Sequence, residues 1–355
     1  MNPKNSETPK SLGYRMPAEW EKQDAIWLSW PHNEITWPGK MLASAENSYI
    51  EIIKALHKGQ KINLLVNEEK TEKYIMKRFE EKGIDISQVV FLKIKNIDAW
   101  IRDYGPTFVI NDSQKKLAMV KWKFNAWGDK YDYLKLDGKI PYEINKILNL
   151  KIFEPNIVLE GGSIEVNGTG TLITTEQCLL NRNRNPNLAK DEIEHHLKEY
   201  LDVYNILWLK EGIEGDDTDG HIDDITRFVN KNTVVCAFEE NEADKNHQIL
   251  KKNYELLKEM KNEDGEKLSV IKLPMPGHAE YDGKRYPASY TNFYVGNEAV
   301  IAPVFGHEND RKALQVLQKL FPSRKVVGIN CREMVYGFGT IHCASQQEPK
   351  VLGFS

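Results

Sequence analysis

The chain has 355 residues, of which 41% are hydrophobic and 28% charged, a profile typical of a globular protein with a sizeable core. A net charge of −4 offers no basic face for nucleic acid, and no run of about 18 apolar residues predicts a membrane span. Four cysteines without a CxxC pair argue against a structural zinc site and against a disulfide framework. Because the N-terminus is polar and lacks the apolar core of a secretory signal, we expect a cytoplasmic protein.

Four segments along the chain repeat one pattern: polar or small residues, a β-rich run, a turn, and a second apolar run. These segments are residues 102–120, 160–174, 220–238 and 289–305. Their turns contain ND, NG, NK and GN, which favour β-hairpins because such residues tolerate the positive φ of a tight turn. The pattern therefore predicts four related hairpins whose polar starts occupy equivalent positions.

Helices are predicted between the hairpins. Apolar residues at helical spacing indicate helices over residues 67–83, 189–203, 242–261 and 309–322. Short strands such as KINLLV, SVIKLP and VVGIN lie next to them in the chain. A fifth unit can be assembled from residues 25–31 and residues 339–347, which would bring the two ends of the chain together.

We therefore predict an α/β fold, a pseudo-symmetric five-bladed α/β propeller whose repeating units bury their apolar faces against one another. An open doubly wound sheet is the alternative, but the chain contains neither GxGxxG nor GxxxxGK[ST]. No linker or break in composition divides the sequence. We expect one domain over residues 1–355, with residues 1–13 forming a loose tail.

The polar hairpin starts supply candidate site residues if they meet at a central axis. The candidates are Asp98, Trp100, Arg102, Asp103, Glu160, Asp217, His221 and Asp223, joined near the chain end by His342 and Cys343. Cys343 stands between GFG and ASQQ, which is typical of an exposed thiol, although a free cysteine also packs as a small apolar residue. Cys178 and Cys236 fit strand cores.

His221 belongs to the acidic segment EGDDTDGHIDD, residues 214–224. A strand through it would place His221 and Asp223 on one side, as acid–base chemistry with a thiol requires. An EF-hand register that takes Gly220 as its sixth position fails, because its first and twelfth positions become Gly215 and Thr226. A solvated acidic turn is a further possibility.

Trp100 and Asp103 suit a flat, delocalised cation, which both an aromatic face and a carboxylate attract. The alternative is a core tryptophan beside a local ion pair of Arg102 and Asp103. The carboxylates crowding His221 make a neutral peptide carbonyl, the target of a cysteine protease, the poorer choice.

Six sequence blocks together resemble the agmatine deiminases, a guanidine-modifying family related to the bacterial peptidylarginine deiminases. The blocks cover nearly the whole chain in family order: WIRDYGPTFV, KFNAWG, LEGGSIEVNGTGTLITTEQCLLNRNRNP, GDDTDGHIDDITRFV, SYTNFYV and GTIHCASQQEP. Phe338 and Thr340 interrupt the glycine-rich run that usually precedes the last block.

The resemblance implies a pentein-type propeller that hydrolyses agmatine to N-carbamoylputrescine and ammonia without metal or organic cofactor. It implies Cys343 as nucleophile, His221 as general acid and base, and Asp103 and Asp223 as the carboxylates that hold the guanidinium. Further substrate-binding positions are Trp100, Asp98, Glu160 and Asp217, whereas Asp216, Asp219 and Asp224 are expected to shape only the turn or the local field.

Three alternatives to this activity stay open. Peptidylarginine or free arginine could be the substrate, although no cationic clamp for the α-carboxylate of arginine is evident in the sequence. A non-catalytic calcium-binding β protein is a distant third. Homo-oligomerisation is compatible with the resemblance, and no interface can be identified.

Overall fold

The computed structural model describes residues 7–351, along which strands and helices alternate. The strands are β1 (Gln23–Ser29), β2 (Lys61–Val66), β3 (Val89–Lys93), β4 (Thr107–Asn111), β5 (Lys116–Val120), β6 (Lys151–Phe153), β7 (Glu165–Val166), β8 (Thr171–Thr175), β9 (Asn205–Leu209), β10 (Thr226–Asn230), β11 (Thr233–Phe238), β12 (Ser269–Pro274), β13 (Glu280–Tyr281), β14 (Lys284–Arg285), β15 (Tyr294–Val295), β16 (Ala299–Val304), β17 (Lys325–Asn330) and β18 (Ser345–Pro349). The helices are α1 (Lys40–Leu56), α2 (Glu69–Glu81), α3 (Ile101–Tyr104), α4 (Ala126–Asp129), α5 (Ile140–Leu148), α6 (Glu176–Leu179), α7 (Lys190–Leu201), α8 (Lys245–Glu259) and α9 (Asn309–Leu320).

Three-stranded sheets with one common connection pattern make up much of the described range. In each, an antiparallel hairpin is followed by a helix and by a strand that joins the second hairpin strand in parallel. The sheets are β4-β5-β6, β7-β8-β9, β10-β11-β12 and β15-β16-β17. A helix stands before the third strand because a parallel neighbour cannot be reached through a tight turn. The four predicted hairpins are thus confirmed.

The fifth predicted unit is confirmed as a sheet that joins the two ends of the described chain. Its strand order is β18-β1-β2-β3, with β1 antiparallel to β18 and parallel to β2. Leu28 of β1 lies opposite Ser345 of β18. Because Ser345 follows Cys343 by two residues, this pairing fixes the segment that carries the cysteine.

The four predicted helices are confirmed as α2, α7, α8 and α9. The prediction omitted α1, although its buried residues Ala45, Tyr49, Ile52 and Leu56 recur at the three- and four-residue spacing of a helix face. The hairpin of β13 and β14 was also omitted. It is short and partly exposed, so its sequence has little of the alternation that marks a strand.

The core consists of strands buried along their length and of helix faces packed on them. All five residues of β8 are buried, as expected for a strand covered on both faces. Leu172 of β8 belongs to the same apolar cluster as Leu197 of α7. Of the predicted tail, residues 1–6 lie outside the described range, and Thr8 donates a hydrogen bond to Glu199 of α7. Among residues 7–351, none of the helices combines the length and the apolar character needed to cross a bilayer.

Candidate active site

The polar starts of the hairpins come together around the thiol of Cys343. Asn292 Nδ2 donates to Cys343 Sγ at 3.2 Å, and Asp223 Oδ2 lies 3.7 Å from the same sulfur. The sequence prediction of an exposed thiol is wrong, because Cys343 is only 5% exposed and contributes to the wall of a cavity of about 280 Å³. The small residues around Cys343 make room for that cavity instead of exposing the sulfur.

Asp103 is held by both of its carboxylate oxygens. The turn α3 places it directly before β4, where Oδ1 accepts from the Gly162 N–H at 3.0 Å and Oδ2 accepts from Trp127 Nε1 at 2.9 Å. Burial raises the pKa of Asp103 to about 6; His221 opposes this rise and Asp223 adds to it. The carboxylate is therefore oriented for a cation and gains from binding one.

Trp127 reaches Asp103 from a left-handed turn. The φ angles of Ala126, Trp127 and Asp129 are 55°, 56° and 63°, and that of Gly128 is 87°. Non-glycine residues rarely adopt this conformation, which costs roughly 1–2 kcal/mol per residue. The turn explains the KFNAWG block, because Asn125 caps it by accepting from the Gly128 N–H.

His221 does not lie on a strand, so that prediction is wrong. It immediately precedes the 3₁₀ turn Ile222–Asp224, and β10 begins only at Thr226. The reason is the carboxylate of Asp216, which accepts from the N–H groups of Gly220 and His221 and curls the acidic segment into a compact loop. This loop still brings His221 and Asp223 into one site.

The His221 imidazole is enclosed by carboxylates without a close hydrogen bond. Its Nδ1 lies 3.7 Å from Asp103 Oδ1 and its Nε2 lies 3.9 Å from Glu160 Oε2. Among the described residues, neither ring nitrogen has a hydrogen-bond partner. Burial lowers the pKa of His221, but Asp103, Cys178 and Glu160 raise it by more than burial lowers it, so the pKa lies well above its ordinary value. His221 is therefore a protonated acid at neutral pH.

Glu160 and Cys178 also lie next to the His221 imidazole. Glu160 Oε1 accepts from Arg184 Nε at 2.7 Å, and both side chains are fully buried. Cys178 was predicted in a strand core but lies in the short helix α6, because Thr175 caps a helical turn there by accepting from the Cys178 N–H. Glu160 does not line the cavity, which fits a supporting position beneath His221.

Two groups of side chains have the donor atoms of a metal site. Potential ligand atoms of Glu160, Cys178 and His221 lie within 4.8 Å of one another, as do those of Asp223, Asp224 and Cys343. Thiol, imidazole and carboxylate ligands suit a soft divalent cation, but carboxylates also suit an organic cation. In the first group, the Arg184 guanidinium already supplies positive charge to Glu160.

Asp223 and the thiol have opposite ionisation tendencies. Burial raises the pKa of Asp223, but His342, His221 and Arg227 outweigh it, so the carboxylate is ionised at neutral pH. Burial, followed by the charges of Asp223, Asp224 and Asp103, raises the pKa of Cys343 well above its usual range. The surroundings of Cys343 therefore favour a neutral thiol, and a cation bound beside the carboxylates would favour the thiolate.

Of the remaining predicted residues, Asp98, Trp100 and Asp217 line the cavity that Cys343 borders, whereas Arg102 and His342 do not. Asp98 accepts from Thr36 Oγ1 at 2.6 Å, and Asp217 accepts from Tyr131 at 2.5 Å. The lining is Ile35, Thr36, Pro38, Met41, Asp98, Trp100, Asp103, Trp127, Tyr131, Tyr133, Leu134, Asp217, Thr218, Tyr281, Lys284, Tyr286, Tyr336, Gly337, Phe338 and Cys343. A cavity lined by aromatic rings and by Asp98, Asp103 and Asp217 suits a cationic ligand.

Phe338 lines this cavity from the segment in which the resemblance leads us to expect glycines. Its φ is 68°, in the left-handed region that glycine adopts without cost, and its ring lies 4.9 Å from that of Tyr286. Thr340, the other interruption, donates to Asn292 Oδ1 at 2.8 Å. Both departures are therefore accommodated, one at the wall of the cavity and one beneath the thiol.

Comparison with known proteins agrees with this geometry. The family model of the Porphyromonas-type peptidyl-arginine deiminases matches residues 15–349. A putative agmatine deiminase of Legionella pneumophila (strain Paris) is 38% identical over 345 residues, which cover 96% of this chain and 97% of the relative.

The chain belongs to the Porphyromonas-type peptidyl-arginine deiminase family. Two solved structures are similar along nearly their full length. One is the agmatine deiminase of Enterococcus faecalis, with a TM-score of 0.90, 34% identity and coverage of 99% of this chain and 100% of that chain. The other is an agmatine deiminase of C. jejuni with substrate bound, with a TM-score of 0.85, 34% identity and coverage of 96% and 97%.

Sequence reasoning missed several residues of this peptidyl-arginine deiminase family site. Asn292 contacts Cys343 and lies in the polar start of the fourth hairpin, so the repeat itself contained the signal. Asp224, expected only to shape the turn or the local field, is buried and accepts from Asn292 Nδ2 at 3.1 Å. Glu19, which contacts His342, has no such signal because it precedes β1.

Gly162 leaves no space for a side chain at the centre of this site. A Cβ there would lie 2.6 Å from His221 Nδ1 and 2.9 Å from Asp103 Oδ1. We expect Gly162→Ala to lower kcat/KM about a hundredfold, because displacement of about 1 Å at a reacting group has this effect. The measurement is steady-state hydrolysis, with folding checked by circular dichroism.

Gly265→Ala is the matched control for that variant. Gly265 has φ of 80°, and no atom of the described residues lies within 4 Å of the position that a Cβ would take, so alanine there adds backbone strain without crowding. We expect a small loss of stability and unchanged kcat/KM. A fully active Gly162→Ala enzyme would show that His221 and Asp103 need not hold their observed positions.

Proposed function

We propose that the protein is an agmatine deiminase, which hydrolyses agmatine to N-carbamoylputrescine and ammonia. The observation that carries this proposal is the buried carboxylate of Asp223, which lies 3.7 Å from Cys343 Sγ and whose Oδ1 has no hydrogen-bond partner among the described residues. Buried carboxylate oxygens are costly unless a donor reaches them. A guanidinium supplies several N–H donors in one plane together with a positive charge.

Substrate binding prepares the thiol. The guanidinium lies between Asp103 and Asp223. Burial raises the pKa of Cys343 and the nearby carboxylates raise it more, and the charge of the guanidinium offsets the contribution of the carboxylates. The thiol then gives its proton to the neighbouring carboxylate of Asp223, which lies 3.7 Å from Sγ, and Asp223 later passes that proton to the released ammonia, which leaves as ammonium. The substrate thus helps to generate its own nucleophile, and Asn292 Nδ2 donates to the resulting thiolate.

Two successive additions complete the reaction. The Cys343 sulfur bonds to the guanidinium carbon, protonated His221 gives a proton to the departing nitrogen, and the carbon–nitrogen bond breaks to release ammonia. A thiouronium remains on Cys343. Neutral His221 then takes one proton from water, which adds to the same carbon. The carbon–sulfur bond breaks and the remaining hydroxyl proton passes to the departing sulfur, which gives the ureido product, the neutral thiol and protonated His221.

The far end of agmatine is an ammonium group, and the cavity offers acidic residues along its length. We assign Asp98 and Asp217 to this end, and Trp100 to the wall that contacts the guanidinium plane. The relatives described as agmatine deiminases support this assignment of the substrate.

Free arginine is a second candidate because the cavity also has a cation at its wall. Lys284 lines it, with Nζ 4.2 Å from the Phe338 ring centre, and could face the α-carboxylate that agmatine lacks. The deciding experiment incubates purified protein with agmatine, free arginine and a blocked arginyl peptide, and measures ammonia and ureido product. Product from agmatine alone supports the proposal. Product from free arginine or the peptide would replace agmatine as the assigned substrate but keep the deimination chemistry. Absence of product from all three would refute deimination.

The acid side of the pH profile has a predicted origin. Because the pKa of Asp103 is raised to about 6, the group is protonated below that pH and no longer attracts a guanidinium. We expect kcat/KM for agmatine to fall about tenfold per pH unit below about pH 6. Measurement between pH 5 and 8 checks this.

Asp98 provides the comparison, because burial also raises its pKa to about 6. If Asp103 causes the fall of kcat/KM below about pH 6, which we call the acid limb, Asp98→Asn should still show it. Disappearance of the limb in that variant would show that Asp98, and not Asp103, is the carboxylate responsible.

We also propose that the five sheets form a five-bladed pentein propeller and that residues 1–355 are one catalytic domain. The repeated connection pattern and the pairing of β1 with β18 support this arrangement. A cytoplasmic location and homo-oligomerisation stay predictions.

A further inference from the structure

His342, next to the nucleophile in the chain, has a carboxylate at each ring nitrogen. Its Nδ1 lies 2.7 Å from Asp223 Oδ2, and its Nε2 lies 2.9 Å from Glu19 Oε2. All three side chains are buried. A neutral imidazole donates from only one nitrogen, so two such short contacts require either an imidazolium or a proton on one carboxyl group.

The charges around this group favour the imidazolium. Glu19 also accepts from Arg227 Nη2 at 2.9 Å, from Arg102 Nη2 at 3.3 Å and from the Val295 N–H at 2.8 Å. Burial raises the pKa of Glu19, but Arg227, His342 and Arg102 together bring it well below its usual range. Two guanidinium groups and one backbone N–H therefore favour an ionised Glu19, so the proton required between Glu19 and His342 lies on the imidazole.

Asp223, the second carboxylate on His342, belongs to the candidate active site. Asp223 faces His342 with Oδ2, which leaves Oδ1 unpartnered among the described residues. The charged and titratable groups around the pair are Glu19, Arg102, Asp103, Glu165, His221, Asp224, Arg227 and Cys343. His342 is thus the link between a carboxylate outside the cavity and one that borders the reacting thiol.

We propose that Glu19 is a positioning residue that acts through His342: it keeps His342 an imidazolium, and the imidazolium keeps Asp223 ionised with Oδ1 directed at the substrate. Glu19 touches neither thiol nor substrate cavity. This assignment rests on the proposed function only where turnover is measured, because the charge on His342 exists without substrate.

Removal of the charge on Glu19 has a definite consequence. In Glu19→Gln the new amide can still hydrogen-bond to Nε2 of His342, but it no longer stabilises a buried cation, so His342 becomes neutral. Asp223 then loses the positive charge that opposes its burial, and its pKa rises. At a given pH more of Asp223 is protonated, and activity should fail from the acid side first.

The first test is Glu19→Gln measured over pH 5 to 9. We expect kcat to fall at least about tenfold at pH 7. The fall of kcat/KM at low pH, which Asp103 causes in the wild type, should move up by about one pH unit or more because Asp223 then titrates above Asp103, with partial recovery in Glu19→Asp. If Glu19→Gln lowers the amount of active enzyme but leaves the pH profile of kcat/KM unchanged, Glu19 has a structural role only and the proposal is overturned.

Glu165→Gln is the matched control. Glu165 is a similarly buried carboxylate on the same Arg227, which donates to it from Nε at 2.8 Å, but it does not hydrogen-bond to His342. We expect reduced stability and an unshifted acid limb. A shift equal to that of Glu19→Gln would show that general charge loss, not contact with His342, is responsible.

The second test does not depend on turnover, and its one variant, with folding checked by circular dichroism, serves only to assign the signal. In histidine-labelled wild-type protein, ¹⁵N NMR at pH 7 should show both ring nitrogens of His342 carrying protons, with the signal assigned by its absence in His342→Gln. One unprotonated nitrogen would overturn the proposal even if agmatine is hydrolysed. Two protonated nitrogens without hydrolysis of agmatine would instead refute the proposed substrate.

Discussion

Cys343→Ala should abolish agmatine hydrolysis, with kcat reduced at least about a thousandfold, while the protein stays folded. The reason is that Cys343 supplies the sulfur that bonds to the guanidinium carbon, and no other cysteine of residues 7–351 contributes to the cavity wall. The change removes one sulfur atom from a cavity edge, so the core loses little packing. Ammonia release measures turnover, and thermal unfolding measures the fold.

Cys236→Ala controls for the loss of a buried thiol. Cys236 is fully buried on β11 and belongs to an apolar cluster apart from the cavity. We expect it to reduce stability through a small void but to leave kcat within about twofold. Residual activity of a tenth or more in Cys343→Ala would remove Cys343 from the nucleophile's position.

Asp223→Asn should change two reactions of the same sulfur in opposite directions. Loss of the charge at 3.7 Å from Sγ lowers the pKa of Cys343, so more thiolate is present and alkylation by iodoacetamide at pH 7.5 should speed up about threefold or more. Hydrolysis of agmatine should fall at least about a hundredfold, because one of the carboxylates that hold the guanidinium is gone. Mass spectrometry of the labelled cysteine follows the first reaction.

Asp219→Asn makes the same substitution four residues earlier in the acidic segment. Asp219 pairs with Lys130 and Arg184, not with the thiol. We expect neither alkylation nor hydrolysis to change by more than about twofold. Slower alkylation in Asp223→Asn would mean that Asp223 promotes the thiolate, contrary to the electrostatics described above.

The strands and helices were largely predictable because residues close together in the sequence determine each repeated unit. Asn and Gly in the turns specify the hairpins, and helical spacing identifies α2, α7, α8 and α9 without reference to the rest of the chain. The convergence of Asp103, His221 and Cys343 followed from one idea, that equivalent polar starts occupy equivalent places.

The failures concern features that depend on contacts distant in sequence. His221 leaves the strand because Asp216 binds backbone N–H groups, and Cys178 sits beside His221 because α6 begins at a threonine cap. The burial of Cys343 results from walls contributed by distant segments, including Trp100 and Phe338. No local pattern in the N-terminal segment marks Glu19 as the partner of a histidine more than 300 residues away.

The pairing of β1 with β18 also sets an order of assembly during synthesis. Cys343 and β18 are synthesised more than 300 residues after their partners Glu19 and β1. Earlier hairpins and helices can form from local contacts while the chain grows, but these pairings span nearly the whole sequence and are the slowest kind to form. A nascent chain can therefore hold most of its secondary structure before the segment of Cys343 pairs with β1, and the proposed reactive centre forms only after that pairing.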